Sequence, residues 1–248
     1  MSTVLETRLP TAVPPETAAR LRPRGINLAD EAFIPAGITD LASFRRWADS
    51  ELYPTRGKFS FLQGQLWVDL NLEQLFTHNQ VKTKLTATLS QFVDANNNGY
   101  LFSDGVRLSH DAADLSAEPD AVFVSFAAIQ QGKVKLVRGQ LGGYVELEGS
   151  PELVVEIVSP SSVRKDTEVL RELYALAGVA EYWLIDARST SPTLEILWLA
   201  ENGYQSVPAT ERGLPSAALA RRGVDSGNRP AGTSAVCFPN VAELKTAT

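Results

Sequence analysis

Glu156 is the residue whose surroundings call for chemistry. It lies in PELVVEIVS (151–159), a run apolar on both faces that reads as a buried central strand. Leu153, Val155 and Ile157 would share one face; Val154 and Val158 would share the face of Glu156. An unpaired carboxylate there is costly, so it must be neutralised, paired or bound to a cation. Asp120 has a similar setting. It opens AVFVS (121–125) directly after Glu118-Pro119, and Pro119 biases Glu118 towards extended backbone. Carboxylates at comparable points of neighbouring strands can hold a divalent cation, and hard oxygen donors suit Mg²⁺ or Mn²⁺. A cation held so can activate water and offset charge on a phosphoryl group. The alternative is a buried Glu–Arg or Glu–Lys pair that only holds the fold.

Other candidates are weaker. His78 either shuttles protons or contacts phosphate, or it merely caps and packs at a helix start. His110 falls in a polar loop and reads as solvated. Lys133, Lys135 and Arg138 alternate along a strand; they line a nucleic-acid groove or form a solvated face in which Glu146 and Glu148 pair across a hairpin. SPSS (159–162) has no Gly-x-Ser-x-Gly elbow and no third triad partner, which argues against a serine nucleophile. No glycine motif for cradling phosphates is present.

The elements that would position these groups alternate in period. TDLASFRRWA (39–48) places Leu41, Phe44 and Trp47 on one side behind a Thr39/Asp40 cap, a short amphipathic helix. KFSFLQGQLWVDL (58–70) reads as a hairpin turning at Gln63-Gly64. Residues 77–95 carry Val81, Leu85, Leu89, Phe92 and Val93 on one helical stripe, ended by NNNG (96–99). Strands are expected near 100–108 and 120–125, and a hairpin over 133–148 turning at Gly142-Gly143. After the Glu156 strand, a helix over about 165–177 stops at Gly178. EYWLID (181–186) and TLEILWL (193–199) then form paired strands. Strand, helix, strand within a mostly antiparallel context gives an α/β or α+β fold with a mixed central sheet.

Composition bounds the rest. The chain has 248 residues, 44% of them hydrophobic and 21% charged, enough for a sizeable core and incompatible with wholesale disorder. Two histidines and one cysteine, Cys237, exclude a Cys-type zinc site and an internal disulfide. No apolar run approaches the roughly 20 residues of a membrane span, and no apolar leader is evident, so no membrane partner and a cytoplasmic location are expected. The net charge of −6 disfavours a strong nonspecific nucleic-acid binder and leaves room for a local basic surface. Residues 1–37, with Pro10, Pro14, Pro15, Pro23 and Pro35, read as an irregular arm. Residues 208–248 read as a flexible segment with a short extension, and its arginines (Arg212, Arg221, Arg222, Arg229) as solubilising. The compact block is 38–207.

The strings EPDAVFV (118–124), PELVVEIVSPSS (151–162), Asp166 and YALAGVAEYWLID (174–186), in this order and spacing, resemble the Uma-two family of bacterial restriction-endonuclease-like proteins. That family lies within the PD-(D/E)xK nuclease superfamily. The resemblance spans about residues 40–205, and His78 matches a family position at the start of the helix after the first hairpin. It implies a restriction-endonuclease-like mixed central β-sheet flanked by helices, with extra hairpins. It also implies a Mg²⁺- or Mn²⁺-dependent endonuclease acting on DNA, with Asp120 and Glu156 as the metal pair. A basic residue would approach the scissile phosphate from Arg164, Lys165 or Arg171. Lys165 is the catalytic candidate; His78 and Arg171 are accessory.

Three positions depart from the pattern. Val158 stands where the simple motif has lysine, Leu170 where many members carry one, and Ser60 where many carry an acid in the first hairpin. Two further readings therefore stay open. One is a catalytically degenerate protein acting as a nucleic-acid-binding module. The other is an assembly role, as a homodimer through exposed hairpin surfaces.

Overall fold

The computed structural model describes residues 25–28, 32–140 and 142–206. The expected flexible segment at 208–248, with Cys237 and the arginine-rich stretch, lies outside the described residues, as does most of the proline-rich N-terminal arm.

The sequence folds around a six-stranded sheet in the order β14-β13-β12-β11-β8-β5. Its strands are β5 (Gly99–Ser103), β8 (Ala121–Ser125), β11 (Leu153–Ile157), β12 (Glu181–Asp186), β13 (Thr193–Ala200) and β14 (Gly203–Ser206). β11 and β12 run parallel, and the remaining pairs are antiparallel. A parallel pair needs a crossover. It is made by a π-helical turn, Lys165–Val169, that continues as an α-helix, Leu170–Leu176, and ends at Gly178 with φ +75°. The long helical stripe forms as expected: a π-helical turn, Leu75–Asn79, leads into Gln80–Asn96. Asn97 closes it in the left-handed region, φ 46°, with its N–H donating to Val93 O.

The two hairpins read from the sequence also form. β3 (Lys58–Leu62) and β4 (Gln65–Asp69) turn at Gln63 and Gly64, both at positive φ, and β9 (Val134–Arg138) pairs with β10 (Tyr144–Gly149). They are not appendages, however. β6 (Arg107–His110) and β7 (Leu115–Ala117) join them into a second six-stranded sheet, β4-β3-β7-β6-β10-β9. β7 has only three residues, too few to leave a periodic signal, and the β10–β6 pairing is parallel and distant in sequence. Two more elements went unread. Residues 126–130 form a short helix capped by Ser125. In the segment expected to be irregular, β1 (Gly25–Leu28) pairs with β2 (Ala32–Pro35), because Ala32 and Ile34 alternate inward and are buried.

The central sheet carries two cores. On one face Val81, Leu85, Leu89 and Val93 of the long helix pack on Phe123, Leu153, Val155, Ile157 and Trp183. On the other, Val122, Val124, Val154 and Val158 meet Leu170, Leu173 and Tyr174 of the crossover helix, together with Leu62, Leu108, Leu115 and Leu147 of the second sheet. A third cluster joins the short helix Leu41–Ala48, through Phe44 and Trp47, to Phe59 and Phe61 of β3. No helix of the described residues is long and apolar enough to cross a membrane. The long helix positions the site residues that precede it, so its packing should dominate stability. Leu89→Ala, at a fully buried position, should lower the free energy of unfolding by about 2–5 kcal/mol. Chemical denaturation checks this, and a change under 1 kcal/mol (roughly one methylene's worth) would contradict the packing described.

Candidate functional site

Asp120 directly precedes β8, and Glu156 lies within β11, the strand that β8 pairs with. The register Leu153↔Phe123, Val154↔Val122, Val155↔Ala121 brings Asp120 to the level of Glu156 on the neighbouring strand. Asp120 is fixed by the backbone of β11 on either side of Glu156. Its N–H donates to Val155 O (3.1 Å), and its Oδ2 accepts the N–H of Ile157 (2.8 Å). Both carboxylates are buried. Glu156 Oε1 accepts a hydrogen bond from the Tyr174 hydroxyl at 2.8 Å, which explains a tyrosine on the inner face of the crossover helix.

Four residues that the sequence reading missed complete the cluster. Lys58, from β3 of the second sheet, places Nζ 2.9 Å from Asp120 Oδ1 and 3.4 Å from Asp104 Oδ1. Lys82 lies 3.3 Å from the same Asp120 oxygen and 3.0 Å from Asp104 Oδ2, and it bonds Glu73 Oε1. His78 bridges the set. Its Nε2 is 3.4 Å from Asp120 Oδ2, while its Nδ1, buried without a hydrogen-bond partner among the described residues, is 3.4 Å from Glu73 Oε2. One signal for Lys82 was present. With His78 at i−4 and Leu85 at i+3, it occupies the buried stripe of the long helix, where a lysine needs a partner. Lys58, Glu73 and Asp104 come from a strand start and two loops, and no period marks them.

The other candidates separate. Lys165 begins the π-helical turn, is largely buried, and lies 3.1 Å from Asp166 Oδ1; its charge acts on Glu156. Arg171 does not join the carboxylates. It faces Glu195 at 3.7 Å, and Glu195 is two strands along the sheet from Glu156 through Leu184. Arg164 is exposed and stacks over Trp67 at 5.9 Å. Nearby, Ser161 Oγ donates to Asp69 Oδ2 at 2.7 Å, tying the loop after β11 to β4. His110 is not simply solvated, since its Nδ1 accepts the N–H of Ala113. Lys135 pairs with Glu148 at 3.2 Å, so the β9–β10 charges face each other across the hairpin.

The electrostatics divide the two carboxylates. Burial raises Asp120, but the His78 imidazole and the charges of Lys58 and Lys82 outweigh it and hold the carboxyl well below the usual range. Burial pushes Glu156 up to about 8; Lys165 opposes the shift, and the negative charges of Asp166 and Asp120 reinforce it. Lys58 would lose its proton more easily through burial alone, yet Asp120 and Asp104 draw it firmly to the charged form. One atom each from Glu73, His78 and Asp120 lies within 4.8 Å of the others. Two carboxylates and an imidazole with an unsatisfied buried nitrogen are a donor set that fits a divalent ion of the Mn²⁺ or Mg²⁺ class.

Residues 41–223 match the family model described as "Putative restriction endonuclease", the Uma-two family. The chain belongs to that family. Its fold is also similar to the crystal structure of a "putative nuclease" from Anabaena variabilis, with a TM-score of 0.54 over 73% of this chain and 90% of that one. Identity is 14%, so the likeness concerns the fold alone. No curated protein matches the chain. The Uma-two strings fall on the site: EPDAVFV places Asp120 and PELVVEIVSPSS places Glu156. The family tyrosine of the crossover helix is Tyr174, the hydroxyl that holds Glu156.

Tyr174→Phe removes the hydroxyl and leaves Glu156 without that donor. It should cost about 1–3 kcal/mol of stability, read by chemical denaturation. Unchanged stability would mean the hydroxyl does not hold the carboxyl.

Proposed function

We propose that this Uma-two protein is a metal-dependent endonuclease that hydrolyses DNA phosphodiester bonds, with Asp120 and Glu156 as metal ligands and Lys165 as the basic partner of Glu156. One observation carries the reading. Buried Asp120 is bonded to the backbone on both sides of buried Glu156, within a cluster whose acids (Glu73, Asp104, Asp120, Glu156, Asp166) outnumber its lysines (Lys58, Lys82, Lys165). Such a concentration of carboxyl groups in a low-dielectric site favours a cation, which would also draw Glu156, pushed up to about 8 by burial, into its ionised form.

Asp120, Glu156 and the Glu73–His78 pair are the residues that would hold the ion. When bound, a divalent ion supplies an activated water and offsets charge on the phosphoryl oxygens. The backbone bonds from Val155 and Ile157 hold Asp120 in one orientation before substrate arrives, so little reorganisation remains for the reaction. Tyr174 orients Glu156, and the Lys165 charge favours the ionised carboxylate. Arg164, exposed beside Trp67 at the start of the crossover helix, is a phosphate contact for the DNA backbone.

A second reading has its own support. Val158 and Leu170 place no lysine at two expected positions, which suits a nuclease fold that binds nucleic acid without cutting it. Incubating plasmid and single-stranded DNA with Mg²⁺ or Mn²⁺ separates the two. Wild type should nick or linearise DNA, and Asp120→Ala and Glu156→Ala should each lose about 10²-fold or more in rate. Equal rates for wild type and Glu156→Ala, or no cleavage with either metal, overturns the nuclease reading. Binding measured by fluorescence anisotropy in the absence of cleavage would then favour the binding module.

A further inference from the structure

We propose that Lys58 brings to the scissile phosphate, from the first hairpin, the positive charge that positions 158 and 170 do not supply. The inference rests on the nuclease reading and assigns one more residue to it.

The three lysines of the cluster are not equivalent. Lys165 is turned onto Asp166, with 15% of its side chain exposed. Lys82 is 8% exposed and enclosed by Glu73, Asp104 and Asp120. Lys58 is 30% exposed and still reaches Asp120 Oδ1 at 2.9 Å. It is thus the lysine of the cluster that joins the buried carboxylate to solvent, the side from which a nucleic acid must come.

The two oxygens of Asp120 divide the approach. Oδ2 accepts the Ile157 N–H and faces His78, whereas among the described residues Oδ1 is met by ammonium groups, those of Lys58 and Lys82. A cation binding through Oδ1 must share it with Lys58 or displace it, and a phosphate oxygen on such a cation would be within reach of Nζ. A four-carbon stem allows that movement without moving β3. Its ammonium is surrounded by the carboxylates of Asp120, Asp104 and Glu73, so Lys58 acts as a positive charge and not as a proton acceptor. In the hydrolysis, the oxygen of water bonds to phosphorus and the ester P–O bond breaks. One proton of that water ends on the leaving sugar oxygen, and Lys58 stays protonated throughout. Its task is to stabilise the charge that grows on the non-bridging oxygens.

The full-length chain, as wild type, Lys58→Met, Lys58→Gln, Lys58→Arg and the surface control Lys135→Met, tests this with two readouts. The first is Mn²⁺ affinity by calorimetry without DNA. The second is the rate of plasmid cleavage at saturating Mn²⁺, resolved into kcat and KM. Removing the competing ammonium should tighten Mn²⁺ binding by about tenfold while kcat falls about 10²-fold. Lys58→Arg should recover part of the rate, and Lys135→Met should match wild type. The opposed signs matter, because a merely structural lysine would weaken metal binding and activity together. Lys58→Gln, which keeps a polar tip, decides the matter should Lys58→Met fail to fold. Cleavage by both variants at the wild-type rate, or weaker Mn²⁺ binding in both, overturns the assignment and leaves the nuclease reading standing. A wild type that cuts no DNA overturns the nuclease reading and the role of Lys58 with it.

Discussion

Negative charge held on the inner face of a sheet is the constraint around which this molecule is arranged. Glu156 lies, through its bond to Tyr174, against a layer made of Val122, Val154, Val158, Leu170 and Leu173, and Asp120 is tied to the backbone on either side of it. Neither carboxylate could stay there alone, and each is met by a different element. Tyr174 and Lys165, from the crossover helix and the turn before it, answer Glu156; Lys58, Lys82 and His78, from the second sheet and the long helix, answer Asp120. The crossover is needed in any case to join two parallel strands. Placing Tyr174 and Lys165 on it makes one connection serve topology and charge together.

How far the site was legible follows from the same physics. Alternation in β8 and β11 exposed Asp120 and Glu156, because a charged residue in a two-sided apolar run conflicts with its neighbours. His78 was exposed by its match to a family position at the start of the long helix, and the stripe would have exposed Lys82, three residues before Leu85, had its inward side been read in full. Lys58 was hidden. It begins β3, where a lysine reads as a solvated strand end, and only the folding of the first hairpin into a second sheet directs it at Asp120. Glu73 and Asp104 sit in loops, where acids are ordinary. The fold divided in the same way. Long periodic segments declared themselves, whereas β7, with three residues, and the parallel β10–β6 pairing depend on contacts far apart in sequence.

The second sheet offers an internal comparison for deciding what a buried carboxylate is for. Glu146 is as buried as Asp120, and its partners are guanidinium groups: Arg45 Nε at 2.7 Å and Arg107 Nε at 3.1 Å. Arg45 also takes Glu148 and Asp111, and Lys135 takes Glu148. Three acids thus meet three cations, two of them arginines whose planar forks suit carboxylates. Each acid of the group has a cation within 3.2 Å, although Glu146 Oε1 makes no hydrogen bond among the described residues. It is the arrangement that a carboxylate with a purely structural task would adopt.

The cluster at Asp120 departs from that solution on each count. Its cations are lysines, mobile point charges, and not arginines. Its acids outnumber them, and one carboxyl is pushed up to about 8 by burial and by its acidic neighbours. Each departure costs stability by comparison with the Glu146 group, since repulsion among carboxylates in a low dielectric is not offset by fixed partners. A protein that makes both arrangements from one chain has the means to neutralise a buried acid fully. At Asp120 that means was not used: mobile lysines, one of them reaching solvent, stand where the Glu146 group has arginines.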